Sequence, residues 1–153
     1  MIVVDVNLIA YLLIDGEQTR DAEAVLGADR DWAAPLLWRS EWRSVLAGYL
    51  RRGSIDRAGA LECLEAAETL VRGREYLVDG ARVMQPVGAS SRSAYDCEYV
   101  ALADTLDVPL VTYDRGVLRD FPSRASTPRT YLSSRQRPIR LGAGVSGDRP
   151  ERL

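Results

Sequence analysis

The sequence predicts a three-layer α/β/α fold, a small central parallel sheet covered by helices on both faces. Three observations carry this. Two apolar runs, Ile2-Val3-Val4-Asp5-Val6 and Pro109-Leu110-Val111-Thr112-Tyr113, are too short for helices and continuous enough for strands buried on both faces. The stretches between them carry apolar residues at helical spacing. Strands that alternate with helices build a parallel sheet, because parallel neighbours need a crossover between them.

The elements follow in order. The first run is the central strand, and Asn7 caps a helix through about Leu13. Gly16 separates it from an amphipathic helix over about Glu17 to Leu26. Trp32-Ala33-Ala34 is a short strand, and Pro35 opens a long helix ending at Gly53. Ser54 begins the next helix, to about Leu70, with the apolar stripe Ile55, Ala58, Leu61, Leu64, Ala67 and Val71. Tyr76-Leu77-Val78 reads as a strand, followed by a short helix to about Val87. After the loop Gly88 to Ser91, Ser93 caps a helix to about Leu106. The second strong strand then ends at Asp114, which caps a short helix finishing near Phe121. Beyond about Leu132 the residues are mostly Ser, Arg, Gly and Pro, the composition of a flexible tail. The predicted organisation is thus a domain over residues 1–131 and a basic tail over 132–153.

Composition removes whole classes of chemistry. All 20 basic residues are arginines, and the chain has neither lysine nor histidine. A Ser-His-Asp or Cys-His site, a lysine Schiff base and a phosphate-binding loop that needs its lysine are therefore excluded. Cys63 and Cys97 are too few for a thiolate-bound structural zinc. Residues 1–121 hold 13 Arg against 20 acidic residues, whereas residues 122–153 hold 7 Arg against Asp148 and Glu151, so an acidic body carries a basic tail. The apolar start is interrupted by Asp5 and Asn7 and is shorter than the roughly 20 residues of a membrane span. A cytoplasmic protein with no membrane partner is expected.

Four acids stand out against this background. Asp5 and Asp114 close the two strong strands, so both point to the carboxyl rim of the sheet, where open parallel sheets bind ligands. Glu41, early in the long helix, shares a face with Leu37 and Val45, and Asp96, in the first turn of its helix, aligns with Val100 and Ala103. Each alone has an ordinary reading as a cap or a first-turn residue. Together, carboxylates on buried faces cannot neutralise one another, since like charges raise each other's pKa. A shared divalent cation resolves the conflict, and Mg²⁺ or Mn²⁺ is what such hard oxygen donors favour. One or two ions could then supply the activated water that a chain without histidine or lysine needs.

Asp5-Val6-Asn7 after an apolar strand, Ser40-Glu41 early in a long helix, the run Tyr95-Asp96-Cys97-Glu98-Tyr99-Val100-Ala101-Leu102-Ala103, and Leu110-Val111-Thr112-Tyr113-Asp114 together resemble a PIN domain of the VapC toxin type. The resemblance covers about residues 1–131. It implies a magnesium- or manganese-dependent endoribonuclease, usually the toxin of a toxin–antitoxin pair, acting on RNA. By motif match it makes Asp5, Glu41, Asp96 and Asp114 the catalytic and metal-binding site, with Asn7 and Thr112 supporting the acids or orienting substrate. It also implies a homodimer and a small antitoxin that wraps the toxin's helices. Glu98 is extra to the pattern and lies on another helix face from Asp96.

Arg39, Arg43, Arg115 and Arg119 lie near the predicted rim, either as phosphate contacts or as solvated helix charges. Trp38 and Trp42, four apart, fit core or interface packing better than base stacking. Cys97 reads as a small buried packing residue. The helices of residues 7–26 and 54–70 carry apolar surface enough for a partner groove or for ordinary core packing. Two rival functions are a phosphatase with Asp5 as nucleophile, disfavoured by Asn at position 7 and the absence of lysine, and a non-catalytic PIN-like binding subunit, which would be expected to have lost an acid.

Overall fold

Ile2–Val4 form β1, and none of the three side chains reaches solvent. Such a strand must have neighbours on both edges, and the computed structural model, which describes residues 1–135, supplies them. β2 (Trp32–Pro35) and β4 (Leu110–Val111) flank β1 in parallel, β3 (Glu75–Tyr76) lies outside β2, and β5 (Ala125–Ser126) lies outside β4. The order β3-β2-β1-β4-β5 means that the chain builds outward from β1 in one direction and then returns to build in the other. The reversal falls between β1 and β4, and in open parallel sheets the crevice lies beyond the carboxyl ends of the strands at such a switch point.

Eight helices complete the described residues: α1 (Val6–Leu13), α2 (Thr19–Ala28), α3 (Trp38–Arg51), α4 (Arg57–Leu70), α5 (Gly80–Gly88), α6 (Ala94–Leu106), α7 (Arg115–Asp120) and α8 (Pro128–Arg135). α6 packs on β1, β2 and β4 with one face, through Tyr99, Val100, Leu102 and Ala103, and on α5 with the other, through Cys97 and Ala101. α1 packs with α2, α3 and α4. Because α6 ends where β4 begins, its N-terminus lies at the carboxyl rim of the sheet. Among the described residues no helix is long and apolar enough to cross a membrane.

Several boundaries differ from the sequence reading. The first strand stops at Val4, because the Asp5 side chain accepts from the Asn7 N–H at 3.3 Å and starts α1 two residues early; Asn7 is inside the helix, not its cap. Pro35 ends β2 instead of opening α3. The ladder to β3 uses the N–H groups of Ala34 and Leu36, so the donor that proline lacks is not missed there. Asp56, not Ser54, caps α4 by accepting from Gly59 N–H at 2.8 Å. β3 is confined to Glu75–Tyr76, and Leu77 is almost fully exposed. β5 and α8 were not expected. The predicted tail, residues 132–153, lies outside the described residues except for 132–135, which complete α8.

Candidate active site

The crevice between β1 and β4 is organised by one hydroxyl. Thr112, which follows β4, is buried, and its Oγ1 donates to Asp5 Oδ2 at 2.7 Å while accepting from the Asp114 N–H at 2.9 Å. The two strand-end acids are thereby tied across the switch point. Asp114 Oδ1 also accepts from Val117 N–H at 2.8 Å and so caps α7, as the sequence predicted. These local caps cost little extra, since the first N–H groups of a helix need partners in any case.

Asp96 comes from the opposite lip. Ser93 Oγ accepts from Asp96 N–H at 3.1 Å, and Asp96 Oδ2 accepts from Ser93 N–H at 3.3 Å, a capping box that fixes the side chain at the start of α6. One turn later Tyr99, buried, donates its hydroxyl to Glu41 Oε2. Glu41 reaches the crevice from α3, on the face it shares with Leu37 and Val45.

All four acids line one cavity of about 490 Å³, together with Asn7, Ser40, Ser44, Tyr95, Thr112 and apolar walls. Among the described residues no arginine lines it. The electrostatic consequence is visible in two of the acids. Burial pushes the Glu41 carboxyl above its ordinary range against the stabilising Tyr99 bond, and the charges of Asp5, Asp96 and Glu98 add to the rise. Burial also raises Asp5, opposed by Thr112 and the Asn7 N–H and reinforced by Asp114 and Asp96. The Tyr99 phenol is raised as well, by burial and the Glu41 charge, so it remains a donor. Among the described residues, Glu41 Oε1, Asp96 Oδ1 and Asp114 Oδ2 accept no hydrogen bond from the protein.

Charge and donor type in this cavity fit a hard divalent cation: carboxylate oxygens in excess, raised pKa values, and, among the described residues, no cationic side chain in the lining. The acids ring the cavity without meeting at a point, and among the described residues no three His, Cys, Asp or Glu side chains converge closely enough to hold an ion by themselves. Mg²⁺, which usually retains several waters and takes one or two carboxylates, does not require such convergence.

The remaining candidates separate cleanly. Arg39 is committed elsewhere, to Glu75 through Nε at 2.7 Å and Nη2 at 2.9 Å and to Glu68 through Nη1 at 2.7 Å. Arg119 pairs with Asp120 at 2.8 Å. Arg43 and Arg115 are exposed and outside the cavity lining. Trp38 and Trp42 are fully buried, which rules them out as stacking platforms, and Cys97 is buried too. Glu98 does not line the cavity, yet its charge reaches Glu41, closer than its helix face suggested. Sequence reasoning gave Tyr95 and Tyr99 no role of their own. Tyr99 could have been found by its spacing, three after Asp96 and therefore on the same side of α6; Tyr95, largely exposed at the cavity's edge, has no such signal.

The chain matches the PIN domain family over residues 2–122. Among solved structures it resembles PAE2754 from Pyrobaculum aerophilum, with a TM-score of 0.68 at 20% identity, covering 87% of this chain and 94% of that one. FitAcB from Neisseria gonorrhoeae gives a TM-score of 0.68 at 21% identity, covering 84% of this chain and 99% of that one. A toxin–antitoxin complex from Klebsiella pneumoniae gives 0.60 at 17% identity, covering 84% and 98%. At these identities the likeness is one of fold. No curated protein matches the chain.

Proposed function

The chain belongs to the PIN domain family, and from that premise we propose that it is a divalent-metal-dependent endoribonuclease, the toxin of a type II toxin–antitoxin pair. The observation that carries the reading is a single cavity at the sheet's switch point lined, among the described residues, by four carboxylates and no cation. Asp5, Glu41, Asp96 and Asp114 are the residues that would hold Mg²⁺ or Mn²⁺. When bound, such an ion lowers the pKa of water and stabilises charge on the oxygens of a phosphodiester in displacement. Thr112 has its donor engaged by Asp5, so its role is to hold Asp5 against Asp114. The Asn7 side chain faces the cavity and makes no hydrogen bond among the described residues, which leaves its amide for orienting the substrate phosphate. An acid-lined cavity repels phosphate unless a cation intervenes, so substrate entry and metal occupancy are linked.

The toxin assignment also draws on the fold likeness to a structure described as a toxin–antitoxin complex. It brings with it a small antitoxin partner, a homodimer and a cytoplasmic location, with residues 1–131 as the nuclease domain and 132–153 as a basic tail. The test is cleavage of an RNA pool with Mg²⁺ or Mn²⁺, with and without EDTA, by wild type and Asp96→Asn. Metal-dependent cleavage that the substitution abolishes is expected; cleavage in EDTA, or a fully active Asp96→Asn protein, overturns the reading.

A further inference from the structure

Asp96 and Asp114 sit on the N-termini of α6 and α7, two helices separated in the chain by β4. Their spacing across the cavity therefore depends on what joins the two helix starts. Arg92, immediately before the Ser93 cap, makes that connection. Its Nε donates to Asp120 Oδ2, at the end of α7, at 3.0 Å, and its Nη2 donates to Ser91 Oγ at 3.1 Å. Between these anchors the guanidinium lies directly on Gly116, in the first turn of α7. A Cβ at Gly116 would stand 1.9 Å from Nη1 and 2.5 Å from Cζ.

Gly116 is buried and does not have a positive φ, so the backbone does not call for glycine there. The guanidinium does, because only a bare Cα lets it lie so close. The turn that carries Arg92 is itself anchored: the Arg92 N–H donates to Ser90 Oγ at 3.2 Å, and Ser90 Oγ donates to the Pro86 carbonyl of α5 at 2.8 Å. Arg92 is outside the cavity lining, so it touches neither the acids' open oxygens nor anything bound among them. A lysine could keep the ion pair with Asp120, but it lacks the flat, multidentate group that covers the glycine and reaches Ser91 as well.

We propose that Arg92, seated on Gly116 and paired with Asp120, is a positioning residue that sets the distance between Asp96 and Asp114 and with it the affinity of the cavity for divalent metal. The proposal rests on the functional reading above. Its test uses the full chain with Gly116→Ala, Arg92→Ala, Arg92→Lys and the double Arg92→Ala/Gly116→Ala, and measures Mn²⁺ affinity by calorimetry, kcat and KM on RNA, and Tm. Gly116→Ala leaves every charge in place and displaces only the end of a flexible side chain, so it guards against a simple folding failure.

Well below every Tm, Gly116→Ala and Arg92→Ala are each expected to weaken Mn²⁺ binding about tenfold, the scale of lost support to a metal ligand. They lower kcat with KM little changed; Arg92→Lys does not rescue, and the double variant is no worse than Arg92→Ala. Unchanged Mn²⁺ affinity in Arg92→Ala, or effects that multiply in the double variant, would overturn the proposal. A wild type that binds Mn²⁺ and shows these affinity changes but cuts no RNA defeats the nuclease reading alone.

Discussion

Arg39 and Glu41 stand two residues apart on α3 and belong to two carboxylate clusters with opposite character. On the outer side, Glu75 accepts from Arg39 twice and from the Trp38 indole N–H at 2.7 Å, and Glu68 takes the remaining arm of the same guanidinium. Arg39 holds the Glu75 carboxyl below its ordinary range. On the cavity side, Glu41, Asp5, Asp96 and Asp114 share no arginine among the described residues, and burial drives Glu41 and Asp5 the other way. Acids that have their cation serve the fold. Acids gathered without one are held ready for a cation that the described residues do not supply.

The largest break in this contrast comes from the cavity. Asp5→Asn keeps a competent helix cap, yet it should lower metal-dependent cleavage at least about 100-fold, or about 2.7 kcal/mol of transition-state stabilisation. Glu75→Gln should leave cleavage per folded molecule unchanged. Tyr99→Phe removes a single hydroxyl from Glu41 and keeps the ring's packing; a roughly tenfold loss in cleavage is expected, the lower end for groups that orient metal ligands. An unchanged rate would mean that Glu41 needs no orientation.

Stability sharpens the contrast further. Arg39→Met should destabilise the protein by about 2 kcal/mol in urea unfolding, near the worth of hydrogen bonds to charged groups and discounted for partial exposure. The smallest effect has the opposite sign. Glu41→Gln should raise the stability of the metal-free protein at pH 7 by about 1 kcal/mol while abolishing activity, the trade often seen at active sites. Because folding raises the Glu41 pKa, its charge opposes folding most above that raised value, and the advantage of Gln fades as pH falls through it to the ordinary range. For Glu75 the pKa is lowered, so the cost of Glu75→Gln is full at neutral pH and disappears as pH falls through the lowered value. Melting curves from pH 3 to 8 would distinguish the two clusters by slope alone.

The cavity acids were legible because each is placed by a local rule. Asp5 and Asp114 end β-branched runs and double as caps, Asp96 answers Ser93 three residues earlier, and Glu41 interrupts an apolar face. What stayed hidden depends on distant chain. Nothing near Arg39 reveals that its partners are Glu68 and Glu75, and the seat of Arg92 on Gly116 joins segments on either side of β4. β5 is two residues long, and α8 has no apolar periodicity beyond Tyr131 and Leu132, so neither offered a pattern to read. Pro35 misled because a good first residue for a helix is equally acceptable where a strand ladder does not need its donor.

The central claim is that the four acids share a cation, and calorimetric titration of Mn²⁺ into the metal-free protein tests it most directly. Saturable binding is predicted for wild type, weakened at least about tenfold in Asp5→Asn and in Asp96→Asn and unaltered in Glu75→Gln. No binding to the folded wild type, or equal binding by wild type and Asp5→Asn, would contradict the account.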